Sequence, residues 1–203
     1  MKKTVGAVCM AIGALLIAGA LSLLIYNLAE ANRAENFSIQ AVSQLKSVIS
    51  DNENKNAPPV FESGTTTEQR SMAELEIDGY SYIGYLSVPS QSLELPVISQ
   101  WDYDKLQVAP CRYSGSISEK NLVLIAHNYS SHFGNLDQLE FEDEVRFTDA
   151  EGVATYYRVV SIDVVPPASA EEVTAGNSDL ALVTCTYSGK TRLVVYCDEV
   201  AAQ

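Results

Sequence analysis

From Val5 to Tyr26 the chain runs 22 residues without a charged side chain, and no other feature restricts its folding so tightly. As a helix rising about 1.5 Å per residue the run measures about 33 Å, enough to cross a hydrocarbon core of about 30 Å. Lys2 and Lys3 precede it, and positive residues favour the cytoplasmic face. The sequence therefore predicts residues 1–4 as a cytoplasmic amino terminus, residues 5–27 as a single-pass transmembrane signal anchor, and an extracellular location for everything later. The competing reading is a cleavable signal peptide, for which Ala29-Glu30-Ala31 offers a small-x-small site. Such peptides carry an apolar core of about 7 to 15 residues, shorter than this one, and both readings export the remainder.

Residues 28–79 read as a stalk helix and linker. Ile39, Val42, Leu45, Val48 and Ile49 recur at helical spacing within Asn36 to Ser50. Asp51 to Thr67 follows, with Pro58-Pro59 and Gly64-Thr65-Thr66-Thr67, a linker composition. From Tyr80 the pattern changes to short β-branched and aromatic runs separated by turn residues. These predict strands near 81–88, 93–99, 121–127, 143–148, 153–165, 180–185 and 191–198. Trp101 to Leu106 reads as one helical turn and Phe133 to Leu139 as a short helix. Many short strands with few helices give an all-β class with short helices, and a closed or nearly closed β-barrel over residues 80–203.

The net charge is −13, and between Gly79 and Gln203 there are 17 Asp and Glu against 7 Lys and Arg. Phosphate binding needs clustered cations, and this chain has none, so a nucleic-acid partner is excluded. The excess of acid reads as a solvated surface. Cys111 and Cys197 can be buried thiols or, in an exported domain, a disulfide. No Cys-x-x-Cys spacing occurs and neither histidine lies near a cysteine in sequence, so nothing suggests a metal or an organic cofactor.

The residues that carry chemistry gather at strand ends. Leu180 to Val183 and Leu193 to Tyr196 flank Tyr187-Ser188-Gly189-Lys190, which has turn chemistry, so a hairpin sets Cys185 opposite Arg192. A second apolar run, Leu122 to Ala126, ends at His127-Asn128. Cysteine, histidine and arginine supply a nucleophile, a proton carrier and an anion stabiliser, the three parts of an acyl-transfer site. The other histidine, His132, sits among Ser130, Ser131 and Gly134 and is expected on a surface loop. Asn128 either orients the imidazole or caps the strand, and Asp137 is expected on a helix surface.

His127-Asn128 after a strand, Leu182-Val183-Thr184-Cys185, and Arg192 seven residues on resemble the sortases, the cysteine transpeptidases of the Gram-positive cell surface. Tyr82 to Pro89 and Leu93 to Val97 are similar to that family's two opening strands, and the resemblance runs from about Tyr80 to Val200. It implies a sortase-like eight-stranded β-barrel with His127, Cys185 and Arg192 as catalytic residues and Asn128 and Thr184 near the substrate. It also implies that Cys185 attacks the Thr-Gly carbonyl of an LPXTG-like signal. His127 would protonate the leaving amine, and a cell-wall or pilin amine would resolve the thioester. The connection from Pro166 to Thr174 is short, where class B sortases carry a long helix, although His127-Asn128 with Phe133 and Leu136 looks class B-like. Subclass and sorting motif therefore stay open. A secreted cysteine protease or amidase using the same Cys and His is the nearest alternative enzyme. Papain-like enzymes place the cysteine early on a helix, whereas here histidine precedes cysteine and both end strands. The non-catalytic alternative is an anchored barrel that binds a surface peptide.

Overall fold

The computed structural model describes residues 2–55, 72–176 and 178–201. The Pro58-Pro59 and Gly64 to Thr67 segments of the expected linker lie outside these residues.

Anchor and stalk form one uninterrupted helix, α1 (Lys2–Lys55). Neither glycine nor proline interrupts the stretch from Ala20 to Lys55, so nothing stops helical hydrogen bonding between the apolar run and the stalk. An 18-residue window within Ile12–Asn52 reaches a mean hydropathy of 2.1 with none of it buried, so the helix is long and apolar enough to cross a membrane. Beyond it, Ala34, Ser38, Ala41, Val42, Leu45 and Ile49 are buried at spacings of three and four, and this stripe packs on the barrel. Ile39 is not part of the stripe: one residue beyond Ser38 it lies about 100° around the helix and is exposed.

Nine strands follow: β1 (Leu75–Ile77), β2 (Tyr80–Val88), β3 (Leu93–Ile98), β4 (Cys111–Ser114), β5 (Leu122–Ile125), β6 (Glu144–Asp149), β7 (Ala154–Val165), β8 (Leu180–Cys185) and β9 (Arg192–Val200). Their order is β2-β3-β4-β5-β8-β9-β7-β6, and β6 returns to pair with β2, which closes an eight-stranded barrel. β1 is an extra edge along the first residues of β2. Two strands have no clear sequence signature. β1 is only three residues long, and β4 pairs with β3 through the single bridge Ile98↔Cys111 before its register to β5 breaks between Arg112 and Ser114.

The closing seam depends on Gly84, whose φ of +143° favours glycine and whose absent side chain lets the Thr148 carbonyl approach β2. Helical structure in the barrel is slight: α2 (Tyr103–Leu106), α3 (Ala170–Thr174) and a 3₁₀ turn, Leu136–Gln138, where the sequence predicts a short helix. Asp102 caps α2 by accepting from the Lys105 amide at 2.8 Å.

The barrel interior holds Ile83, Leu86, Leu124, Phe147, Tyr157, Leu182 and Val195 with Phe133 and Leu136. A second cluster lies outside the wall, where Ala41 and Leu45 of α1 meet Tyr82, Ile98, Ala109 and Cys111. A third, Val123, Val173, Ala181 and Val194, lies under the connection from β7 to β8. Cys111 and Cys197 are both buried as free thiols and belong to different clusters, one outside the barrel wall and one within. Burial pushes each thiol up to about 12, so both are inert at neutral pH.

Candidate active site

Alternation along three strands assembles the site. On β5, Leu122 and Leu124 point into the barrel and Val123 points out; on β8, Leu180 and Leu182 point in and Ala181 points out. Carrying the period forward puts His127 and Cys185 on the outer face. On β9, Leu193 and Val195 point in and Val194 out, so Arg192 shares that face. β5 and β8 are parallel neighbours in register, Ile125↔Val183, and two residues further on His127 comes level with Cys185. β8 and β9 are antiparallel, with Cys185 directly opposite Arg192.

Local bonds hold these strand ends together. The Ala126 amide donates to the Val183 carbonyl at 3.1 Å, and the buried Thr184 hydroxyl donates to the Ala126 carbonyl at 3.0 Å. Thr184 therefore spends its hydroxyl tying β5 to β8 beside the two reactive residues. The β8–β9 turn is closed by the Thr186 amide on the Thr191 carbonyl (3.1 Å) and by contact of the two threonine hydroxyls (2.8 Å). Gly189 adopts the left-handed φ of +71° that the turn requires. Nη1 of Arg192 donates to the carbonyls of Gly189 (3.3 Å) and Thr191 (3.1 Å), which fixes the guanidinium at the cavity edge.

His127, Cys185 and Arg192 line one cavity of about 350 Å³. Its floor is Val123, Val183 and Val173, one wall is the Pro166 to Thr174 connection with α3, and Trp101, Tyr103 and Tyr113 form the other side. Trp101 contacts both tyrosine rings, each at 5.7 Å between centroids. The cavity is thus largely apolar with the thiol, imidazole and guanidinium among its polar groups, the pattern of a site that grips an apolar peptide stretch beside a reactive centre. Cys185 is half-buried. Burial lowers the pKa of His127 below the ordinary imidazole value, which keeps the ring neutral at pH 7. Asn128 is exposed and does not line the cavity, and Asp137 is exposed on the 3₁₀ turn. Among the described residues, no group of three or more His, Cys, Asp or Glu is placed to hold a metal ion.

His132 corrects the sequence reading. It is buried, 1% exposed, because Phe133 beside it enters the core and draws the loop inward. Burial, and then the nearby His127, push its pKa down to about 4, opposed only by a loose contact with the Val108 backbone, and neither ring nitrogen completes a well-formed hydrogen bond. Hydrophilic neighbours in sequence did not decide burial here; the apolar residue that follows did. The sequence reading also missed the Trp101, Tyr103 and Tyr113 wall, for which the available signal was the aromatic spacing on either side of α2.

A closed eight-stranded barrel with a thiol, an imidazole and a guanidinium over one outer-face cavity defines the architecture of a barrel-type acyl-transfer protein. The family model described as the sortase domain matches residues 86–200. The chain belongs to the sortase family, a family of cysteine transpeptidases. Solved structures with the same fold include a Clostridium perfringens sortase D5 transpeptidase (TM-score 0.59, 16% identity, 82% of this chain and 99% of that one). Sortase C2 of Group B Streptococcus pilus island 1 is similar (0.55, 23%, 80% and 98%), as is sortase A from Corynebacterium diphtheriae (0.54, 18%, 90% and 97%). Comparison with curated proteins gives no match.

Proposed function

We propose that the chain is a membrane-anchored sortase that cleaves an LPXTG-like sorting signal through a Cys185 thioester and transfers the protein to a cell-wall or pilin amine. The observation that carries this reading is the convergence of His127, Cys185 and Arg192 on one outer face over a single apolar cavity. Residues 1–4 are cytoplasmic, 5–27 span the membrane, 28–79 form stalk and linker, and 80–203 form the extracellular catalytic barrel.

Cys185 sulfur attacks the scissile carbonyl while its proton passes to neutral His127. The tetrahedral oxyanion is met by the Arg192 guanidinium, which keeps its charge and offers several donors from a braced position. Collapse breaks the C–N bond, His127 returns the proton to the departing glycine amine, and a thioester remains. The acceptor amine then attacks that thioester, its proton moves to His127, and the thiolate leaves and recovers it. Thr184 lines the cavity that takes the peptide, and Asn128 stands outside it.

The test is intact-mass spectrometry of the full chain in detergent with a panel of sorting peptides and amines. A mass increase equal to the acyl part of one peptide, lost on adding one amine, is expected, and absent in Cys185→Ala. Persistent turnover in folded Cys185→Ala protein would remove the assignment. Acyl transfer to water alone, with every amine ignored, would favour the protease reading.

A further inference from the structure

We infer that the stretch of α1 from Tyr26 to Ser38 is a positioning element for His127, bracing from outside the loop that follows the histidine. The inference rests on the reading of His127 given above.

The loop is tightly wound. The Phe133 amide donates to the His127 carbonyl at 3.2 Å, and the amides of His132 and Gly134 both donate to the Tyr129 carbonyl at 2.9 and 2.8 Å. A Cβ on Gly134 would lie 2.6 Å from the carbonyl oxygens of Asn128 and Tyr129, so the coil has no room to loosen locally. Its inner side is held by the buried His132 and Phe133. Its outer side is held by α1: the Ser131 hydroxyl donates to the Ala31 carbonyl at 3.1 Å across 100 residues of sequence. Burial, and then the charge of Glu30 and the Tyr26 phenol on α1, raise the phenol pKa of Tyr129. The Tyr129 ring stacks on His127 at 5.0 Å and 25°, and lies 5.6 Å from the His132 ring. The imidazole is therefore joined to the helix through the Tyr129 ring, the loop backbone and the Ser131 bond.

Next to this brace a groove of about 580 Å³ opens between helix and barrel, lined by Glu35, Ser38, Gln91, Ser130 and Ser131. Ser38 is 2% exposed and its hydroxyl has no partner among the described residues, so it adds no hydrogen bond across this part of the interface. Contact between α1 and the loop runs through the Ser131 bond, and the Tyr129 stack carries the loop's position to the imidazole. A side chain that must keep its ring within hydrogen-bond reach of a reacting sulfur loses rate steeply when it tilts. Glu30 is the first charged residue after the anchor, so the brace around Ala31 sits where the helix leaves its charge-free run. The anchor thus does more than tether: its first turns beyond the apolar run are part of the support of the site.

The experiment uses the full chain in detergent, with Ser131→Ala, Ser131→Thr and Ala34→Leu, the last enlarging a buried residue one turn from Ala31. The ionisable groups around the imidazole are Cys185 on β8, Arg192 on β9, and Tyr129 and His132 in the loop, with Glu30 and Tyr26 of α1 near Tyr129, and no variant changes any of them. Ser131→Ala is expected to lower kcat about three- to tenfold, the effect of one lost hydrogen bond, with little change in KM. Combining it with Ala34→Leu should deepen the loss and move the histidine limb of the pH–rate profile toward the ordinary imidazole value, as the ring gains water. Ser131→Thr, which keeps the hydroxyl, should stay near wild type. Unchanged kcat per folded molecule, an unmoved pH limb, or a threonine variant as slow as alanine each overturn the inference. His127→Ala serves as the control. If it is dead while the brace variants are normal, only this inference fails; if it is active, the histidine assignment fails with it.

Discussion

Replacing His132 with leucine should make the protein less sensitive to acid. The imidazole is buried with a native pKa of about 4, whereas the unfolded chain carries it near 6.5. Below pH 6.5 the unfolded chain binds a proton that the native state refuses until about pH 4. Stability is therefore complete above 6.5 and is lost as pH falls toward 4. Going from about pH 7 to about pH 5, the loss attributable to this residue is about 2 kcal/mol at 1.36 kcal/mol per unit, a sizeable part of a domain's total of about 5–15. Carboxylates titrate mainly below this window, and His127, which burial shifts in the same direction, is present in both proteins and cancels. Urea unfolding of the full chain in detergent, followed through the single tryptophan, Trp101, reads the barrel free of the dominant helix signal. Wild type is expected to lose about 2 kcal/mol more than His132→Leu between the two pH values. Equal losses would mean that His132 titrates in the native state as a solvated residue does, and would refute its burial and with it the inner hold on the loop.

Arg192→Lys should cut turnover at least about tenfold although charge is kept, because one ammonium cannot hold the Gly189 and Thr191 carbonyls and still face an oxyanion; near-normal steady-state rates would reduce Arg192 to a general charge. Gly84→Ala should destabilise the barrel by about 2–3 kcal/mol or more in urea unfolding, since its Cβ would meet the Thr148 carbonyl at the β2–β6 seam, and an unchanged midpoint would argue against that closure. Iodoacetamide on the folded chain at neutral pH, mapped by peptide mass, should modify Cys185 and leave Cys111 and Cys197 untouched; labelling of either buried thiol without unfolding would contradict their packing.

Much of the site was legible because it is built from local relations. The Thr186 to Thr191 turn fixes the hairpin, and a hairpin with two strands of known register must set Cys185 opposite Arg192. His127 could be placed at a strand end but not beside Cys185, since the parallel pairing of β5 with β8 joins segments 58 residues apart and leaves no local trace. Nor could the faces be assigned: Leu122 to Ala126 and Leu180 to Val183 read as continuous apolar runs because the barrel core covers one side and the α3 wall covers part of the other. β4 escaped notice for the opposite reason, being four residues with a broken register.

What the sequence determined by itself was the charge-free helix, the order of seven of the nine strands with their turns, and the candidate thiol, imidazole and guanidinium. These follow from hydropathy, turn chemistry and spacing within a dozen or so residues. The closing of β6 on β2, the docking of Leu45 and Ala41 against the barrel wall, the burial of His132 and the contact of Ser131 with Ala31 belong to the tertiary structure. Each joins residues far apart in the chain, and its sign depends on which surfaces are left uncovered once the barrel has closed. A serine-rich loop carries no information about whether a helix 100 residues earlier will lie against it; that was settled by where α1, continuous and unbroken, had to run to bury its apolar stripe.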